Sequence, residues 1–313
     1  SIYFFSYLFS NNTFDLSWLK NKKYDFVYIR RIIPNSRSAI KLLRLLREQN
    51  PSCKIVYEIP TYPYDAEHRS LTSKVVLFID YIWRKYLYKY IDRFATLTDD
   101  KKIFNCPTLK IANGVDCASI PVCAKTEFDS NKINLIAVAQ FSFWHGYERV
   151  IEGLHNYPKD NVVLHLVGGD SPELKKYKLL VEKYGLEKQV VFHGALYGDK
   201  LTKIFDESDI ALCSLGAHRA QIYVASFLKS REYLCRGLPM VSSTKIDIVP
   251  DDFNYMLRVP EDDSAIDIAS IVSFANKIYN GNRENVADEI RFFAENNCSM
   301  SKSMSTVIEF FKS

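Results

Sequence analysis

The run INLIAVA at residues 133–139 is continuously apolar. A strand with that composition needs cover on both faces, which is the situation of a central strand in a parallel sheet. Reading outward from it, the C-terminal half alternates regularly. Helical spacing over 147–154 leads to an apolar strand at 162–167 and a Gly168-Gly169-Asp170 turn. A helix over 172–184 follows, with Pro172 in its first turn, where the missing N–H costs nothing. Strand 190–192, helix 199–208 and strand 210–213 continue the pattern. Strands and helices alternating in this way predict an α/β domain with a doubly wound parallel sheet.

The next stretch, ASFLKSREYLCRGLPMVS at 225–242, carries the chemistry. Small and hydroxylic residues, Ala225 and Ser226, precede a helical pattern in which Leu228, Tyr233 and Leu234 face a core. Gly237-Leu238-Pro239 stops the helix, and Met240-Val241 starts a strand. A loop followed by a helix N-terminus is how a βαβ unit holds a phosphate, because the first helical N–H groups are unpaired and the helix dipole is positive there. Lys229, Arg231 and Glu232 lie in its first turns. Beyond it the pattern predicts a strand at 255–259 and helices at 266–279, 283–295 and 303–311.

The N-terminal half reads as strand 24–29, a basic amphipathic helix 36–49, strand 54–57, and a loop EIPTYPYDAEH at 58–68. A helical pattern over 75–91 interleaves Trp83, Tyr86, Tyr88 and Tyr90 with Arg84, Lys85 and Lys89; core packing and a membrane interface both use such a pattern. Strands at 93–97 and 108–111 precede the turn Asn113-Gly-Val-Asp116 and a Cys-, Pro- and Lys-bearing segment that marks a domain boundary. The expected division is 1–125, 126–295 and a C-terminal helical piece, 296–313, returning to the first domain.

The 313 residues suit two cores. Residues 1–125 carry 20 Lys and Arg against 11 Asp and Glu, whereas 126–313 carry 21 against 26. The first half therefore suits an anionic surface, either phospholipid or a phosphate-bearing acceptor. No nucleic-acid-binding motif accompanies that charge, so nucleic acid is not the expected partner. Seven cysteines, none in a CxxC pair, predict reduced thiols, no metal site and a cytoplasmic protein. No apolar run reaches the ~18 residues of a membrane span, and no signal peptide is expected.

Several short motifs follow one another over 108–242: NGVD at 113, AQFSFWHGYERVIEGL at 139, LVGGDSPEL at 166, VVFHGAL at 190, ESDIALCS at 207 and REYLCRGLPMV at 231. In that order and spacing the chain resembles family-4 glycosyltransferases of the GT-B fold. The EIPTYPYD loop is similar to that of bacterial members that build surface polysaccharides. The resemblance implies two Rossmann-like doubly wound domains with a cleft between them. It further implies a nucleotide-sugar donor on the C-terminal domain, a lipid-linked or saccharide acceptor on the N-terminal one, and retaining, metal-independent transfer without a cofactor. The place of action it implies is the inner face of the membrane, with the enzyme cytoplasmic or peripheral.

By the same resemblance, Lys229 and the backbone amides of Ser226, Phe227 and Leu228 hold the donor diphosphate, Glu232 holds the ribose, and Glu58, Tyr62, Tyr64 and Asp65 form an acceptor-side loop. The family's pattern is broken in three places. Val224 stands where a sugar-contacting glutamate belongs. Gln140 and His145 stand where an arginine and a lysine belong; His145 brings charge only when protonated. Arg219 and His218 are then expected to share the phosphate load, while Arg231, about 200° around the helix from Lys229, reads equally as a solvated surface arginine. Finally, residues 1–23 hold no glycine, only an apolar run at 2–9 and a helix at 14–20, so the N-terminal domain reads as shortened, either as a fragment or as a reduced sheet. His68 is its lone histidine, and no catalytic residue is placed. The expected activity is sugar transfer in cell-surface polysaccharide synthesis; the alternatives are a non-catalytic sugar-nucleotide-binding partner and, more distantly, a nucleotide-sugar epimerase.

Overall fold

The computed structural model describes residue 19 and residues 22–32, 34–60, 62–65, 71–280 and 282–313, with 71–73 as backbone only. The apolar run at 2–9, the helix expected at 14–20 apart from Leu19, and His68 lie outside the described residues. Two compact units are present, Ser1–Ala112 with Met304–Ser313, and Asn113–Ser303.

The first unit contains β1 (Phe26–Arg30), α1 (Arg37–Gln49), β2 (Lys54–Glu58), α2 (Leu71–Arg84), β3 (Arg93–Thr96), β4 (Lys102–Ile103) and β5 (Cys106–Lys110). The sheet order is β1-β2-β3-β5-β4, parallel except for β4, which turns back on β5. Ser36 caps α1 by accepting the Ala39 N–H, and Ala39, Leu42, Leu43 and Leu46 bury its apolar face. On the other face of the sheet Val56, Ala95 and Ile111 pack with Val307 of the final helix of the chain.

The second unit runs β6 (Ile133–Val138), α3 (Glu148–Asn156), β7 (Val162–Val167), α4 (Pro172–Tyr184), β8 (Val190–Gly194), α5 (Gly198–Glu207), β9 (Ile210–Leu212), β10 (Val224–Ala225), α6 (Leu228–Cys235), β11 (Met240–Ser242), β12 (Lys245–Ile246), β13 (Met256–Arg258), α7 (Ile268–Ile278), α8 (Arg283–Asn297) and α9 (Met300–Ser303). The final helix, α10 (Ser305–Lys312), belongs to the first unit, where Lys54 Nζ donates to Phe310 O (3.0 Å).

The main sheet of the second unit is wholly parallel in the order β13-β11-β9-β6-β7-β8. β6 is the INLIAVA strand, and Ile133, Leu135, Ile136 and Ala137 are fully buried. Two strands follow it outward on one side and three on the other, so the winding reverses between β6 and β9. That reversal opens a crevice beyond the carboxyl ends of these two strands, where open α/β sheets bind ligands. α6 ends as its sequence predicts: Gly237 takes φ +72°, and Leu238 N–H returns to Tyr233 O (3.0 Å).

The cysteines depart from expectation. Cys117 and Cys235 form a disulfide with Cα atoms 5.5 Å apart, because the turn at 117–119 lies against the end of α6; the other five are free and buried. No helix among the described residues is long and apolar enough to cross a membrane, and no cluster among them could hold a metal ion.

Candidate functional site

The crevice is built where the loop after β6, residues 139–147, meets the loop after β9, residues 213–223. Leu215 N–H donates to His145 O (2.8 Å), and a Cβ on Gly146 would lie 2.7 Å from Gly216 N. Gly146 also holds φ +66°, so the approach and the turn both require glycine. Arg149, the second residue of α3, is fully buried beneath them. Its guanidinium donates to Leu215 O, to Ser264 O (2.7 Å) and to Pro260 O (3.1 Å), tying the loops after β6, β9 and β13 into one body. A buried cation held by three backbone carbonyls, with the Asp262 carboxylate 3.4 Å away, is a rigid scaffold. Its only signal in the sequence is that Arg149 shares the phase of the buried helix face.

At the centre stands Lys229. Its Nζ donates to Tyr147 Oη (3.3 Å), lies 5.7 Å from the Tyr147 ring centroid, and has no carboxylate partner among the described residues. Burial draws its pKa down to about 8. Phe227 N-caps α6 without a side-chain hydrogen bond, so the first turn of the helix is uncapped beside that ammonium. Tyr147 itself is fixed by donating to Leu212 O (3.3 Å).

His145 stacks on Tyr147 with centroids 5.7 Å apart and planes 8° from parallel. Here the expectation of part-time charge is corrected. Burial first, and the Lys229 charge second, push its pKa down to about 3, so the ring is neutral. Its Nδ1 accepts the Ser142 N–H (2.9 Å), which leaves the proton on Nε2, with no hydrogen-bond partner among the described residues. His145 therefore presents a neutral donor where the resemblance places a lysine. Gln140 is exposed at the mouth of the same loop, with room around Gly169 beside it.

Arg231 is not a surface arginine. Its side chain is completely buried, ion-paired with Asp247 (2.6 Å), and it donates to Asn113 O (2.6 Å) and Ser226 Oγ (2.9 Å). Three acceptors, two of them from segments distant in sequence, make this the favourable place for its charge. Ser226 Oγ also accepts the Asn113 N–H (2.9 Å), so Ser226 belongs to the same clamp. Leu228, at the start of α6, is 56% exposed. Glu232 is half-buried and accepts from Arg236 Nε (3.0 Å). Val224 is 49% exposed on β10, paired with Lys245 of β12.

The auxiliary residues are already engaged. Arg219 contacts Glu148 (2.5 Å) and Asp263 (2.6 Å) and donates to Phe143 O (2.9 Å), while His218 Nε2 lies 3.1 Å from Asp263. The crevice thus brings Lys229, His145 and the α6 N-terminus together, with Arg219 and His218 held at its rim by carboxylates.

In the first unit, Glu58 accepts from Tyr28 Oη (2.9 Å), and Tyr62, joined to Pro63 by a cis peptide, packs edge-on against Phe104. Tyr64 is buried and donates to Asp80 (2.5 Å), and Asp65 takes both Arg84 nitrogens (2.5 and 3.1 Å). Of the four loop residues, Tyr64 and Asp65 are thus engaged in holding α2.

Residues 123–251 match the family model described as "Glycosyl transferases group 1". No curated protein sequence matches the chain. Among solved structures, a glycosyltransferase from Rickettsia africae ESF-5 superposes with TM-score 0.62 at 14% identity, over 92% of this chain and 76% of that one. Anabaena Alr3699/HepE, in complex with UDP and glucose, gives 0.61 at 17% identity over 92% and 78%. The lipopolysaccharide outer core galactosyltransferase WaaB gives 0.58 at 15% over 95% and 78%. The fold is that of the GT-B glycosyltransferases, and that fold together with the group 1 match over residues 123–251 supports a glycosyltransferase.

Proposed function

We propose that the protein transfers a sugar from a nucleotide-sugar donor to a lipid-linked or saccharide acceptor in cell-surface polysaccharide synthesis, as a family-4 enzyme with retention at the anomeric carbon. The carrying observation is the Lys229 ammonium, unpaired with any described carboxylate, beside the uncapped first turn of α6. A departing nucleoside diphosphate gathers negative charge as its bond to the sugar breaks. Fixed positive charge and oriented N–H groups in a crevice stabilise that charge without reorganising. Lys229, the amides of Phe227 and Leu228, and the Nε2–H of His145 meet the diphosphate in this reading, with Gln140 at its edge; Glu232 takes the ribose hydroxyls with the lone pairs that Arg236 leaves. The C1–phosphate oxygen bond breaks, the acceptor oxygen bonds C1 on the same face, and the acceptor proton passes to the diphosphate.

A second reading, binding of a sugar nucleotide without turnover, draws on Val224, an apolar side chain where the resemblance places a sugar contact. One assay separates the two. Nucleotide release from a panel of sugar nucleotides, with and without a membrane extract as acceptor source, supports transfer. Calorimetric binding with no release from any donor supports the second reading, and no binding at all removes both.

A further inference from the structure

One side of α2 carries Lys74, Val75, Phe78, Tyr81 and Ile82, spaced so that neighbours three and four residues apart share a face, with Lys85 just beyond its end, and all six are exposed. Phe78 is 65% and Tyr81 63% accessible, which is far from the usual fate of such side chains. The helix is nonetheless fixed from its inner side. Asp80, 1% exposed, accepts from Asn35 N and Nδ2 (both 2.8 Å) and from Tyr64, and Arg84 is held by Asp65. The apolar stripe is therefore what a well-anchored helix presents outward.

Cations surround it. Beside the end of α2 a cavity of about 340 Å³ is lined by Arg37, Lys41 and Arg44 of α1 together with Trp83 and Tyr90. Among the described residues only Arg44 of these three has a carboxylate partner, Glu48 at 3.5 Å, while Lys74, Lys85 and Lys89 have none. Lys85 and Lys89 instead lie 5.4 and 5.3 Å from the Tyr86 ring centroid.

We propose that this face of the first unit docks on an anionic phospholipid bilayer. An apolar stripe about 11 Å long from Val75 to Ile82, at 1.5 Å per residue, lies flat at the boundary of headgroups and acyl chains, and flanking lysines and arginines then reach the phosphates. Charge complementarity selects this occupant. A second copy would bring the same cations face to face, and a nucleic acid would leave Val75, Phe78 and Ile82 in water. The inference stands on the surface alone and is independent of the transfer reaction.

The test is co-sedimentation with phosphatidylcholine vesicles with and without phosphatidylglycerol. Binding is expected only to the anionic vesicles. Lys41→Ala should weaken it about fivefold, and Phe78→Ser with Tyr81→Ser about tenfold or more. Both variants should keep the wild-type melting temperature and nucleotide affinity, because the substituted side chains are exposed and belong to the first unit, whereas the donor crevice is built within the second. Equal binding to both vesicle types, no binding, or binding untouched by these substitutions overturns the proposal. So does a dimer in sedimentation equilibrium that the Phe78 and Tyr81 changes dissolve.

Discussion

The Lys229 ammonium lies 3.3 Å from the hydroxyl of Tyr147, a residue held rigidly between the ends of β6 and β9. The pair places a cation without a carboxylate partner among the described residues at the point where the sheet reverses its winding. Because burial lowers the lysine pKa to about 8, donor binding should depend on pH. A diphosphate favours the protonated form, so affinity is full below about pH 8 and declines above it, by at most tenfold per pH unit, with protons taken up on binding. Titration calorimetry with nucleoside diphosphates in buffers of different ionisation enthalpy measures both. Lys229→Ala should weaken binding about 10- to 100-fold, the usual range for a lost hydrogen bond to a charged group, and flatten the pH dependence.

Acid should act on the scaffold through different groups. Burial lowers the pKa of His145 to about 3 and of His165 to about 4, and it lowers that of His193 as well, against an unperturbed 6.5. Each ring binds a proton more readily in the unfolded chain. The stability it contributes is complete above about pH 6.5 and drains away as pH falls through the folded-state values. Melting temperature should therefore drop steadily below pH 6.5, less steeply in His165→Asn. Donor affinity, in contrast, should show no step near pH 6.5, because His145 stays neutral.

Glycine geometry gives a paired prediction. Gly185 holds φ +65° in open space, so Gly185→Ala meets only the left-handed backbone cost of about 1–2 kcal/mol. Gly146 holds φ +66° and its added Cβ meets the backbone of residues 215 and 216. Gly146→Ala should lower the melting temperature well beyond Gly185→Ala and weaken nucleotide binding, since it pushes apart the loops that frame Lys229.

The alternating strands and helices of the second unit were legible because parallel strands covered on both faces leave unbroken apolar runs, as INLIAVA does. The helix stop at Gly237 was legible for an equally local reason. What escaped was non-local. The short strands β4, β10 and β12 are pairs held by tertiary contact. Arg149 and Arg231 look like ordinary helix-surface cations until Ser264, Pro260, Asn113 and Asp247 arrive from elsewhere in the chain. The protonation state of His145 likewise depends on the wall built around it, which no spacing reveals.

Arg231 tests that point. With its partner Asp247 8% exposed and itself fully buried, removal of the guanidinium strands a carboxylate and two further acceptors. Arg231→Ala should cost about 3–5 kcal/mol, the range for breaking a buried pair. Arg231→Lys should recover little, because one ammonium cannot reach Asn113 O, Ser226 Oγ and Asp247 together. Denaturant unfolding followed by Trp144 emission in the second unit would read both.

Val224 bears on what the crevice does with its ligand. The side chain is half in solvent at the edge of a two-stranded sheet, with its backbone paired to Lys245, so a longer acidic side chain fits there without disturbing the core. If the chain transfers a sugar whose recognition lacks this contact, Val224→Glu should change which donor is used, leaving nucleoside diphosphate affinity as it was. A new carboxylate bonded to a sugar hydroxyl is worth about 10- to 100-fold in discrimination. If the wild-type chain binds donors without turning them over, the same substitution should bring nucleotide release above background for at least one donor. Release unchanged across the panel in both proteins, alongside intact diphosphate binding, would show that the sugar is read by residues other than 224.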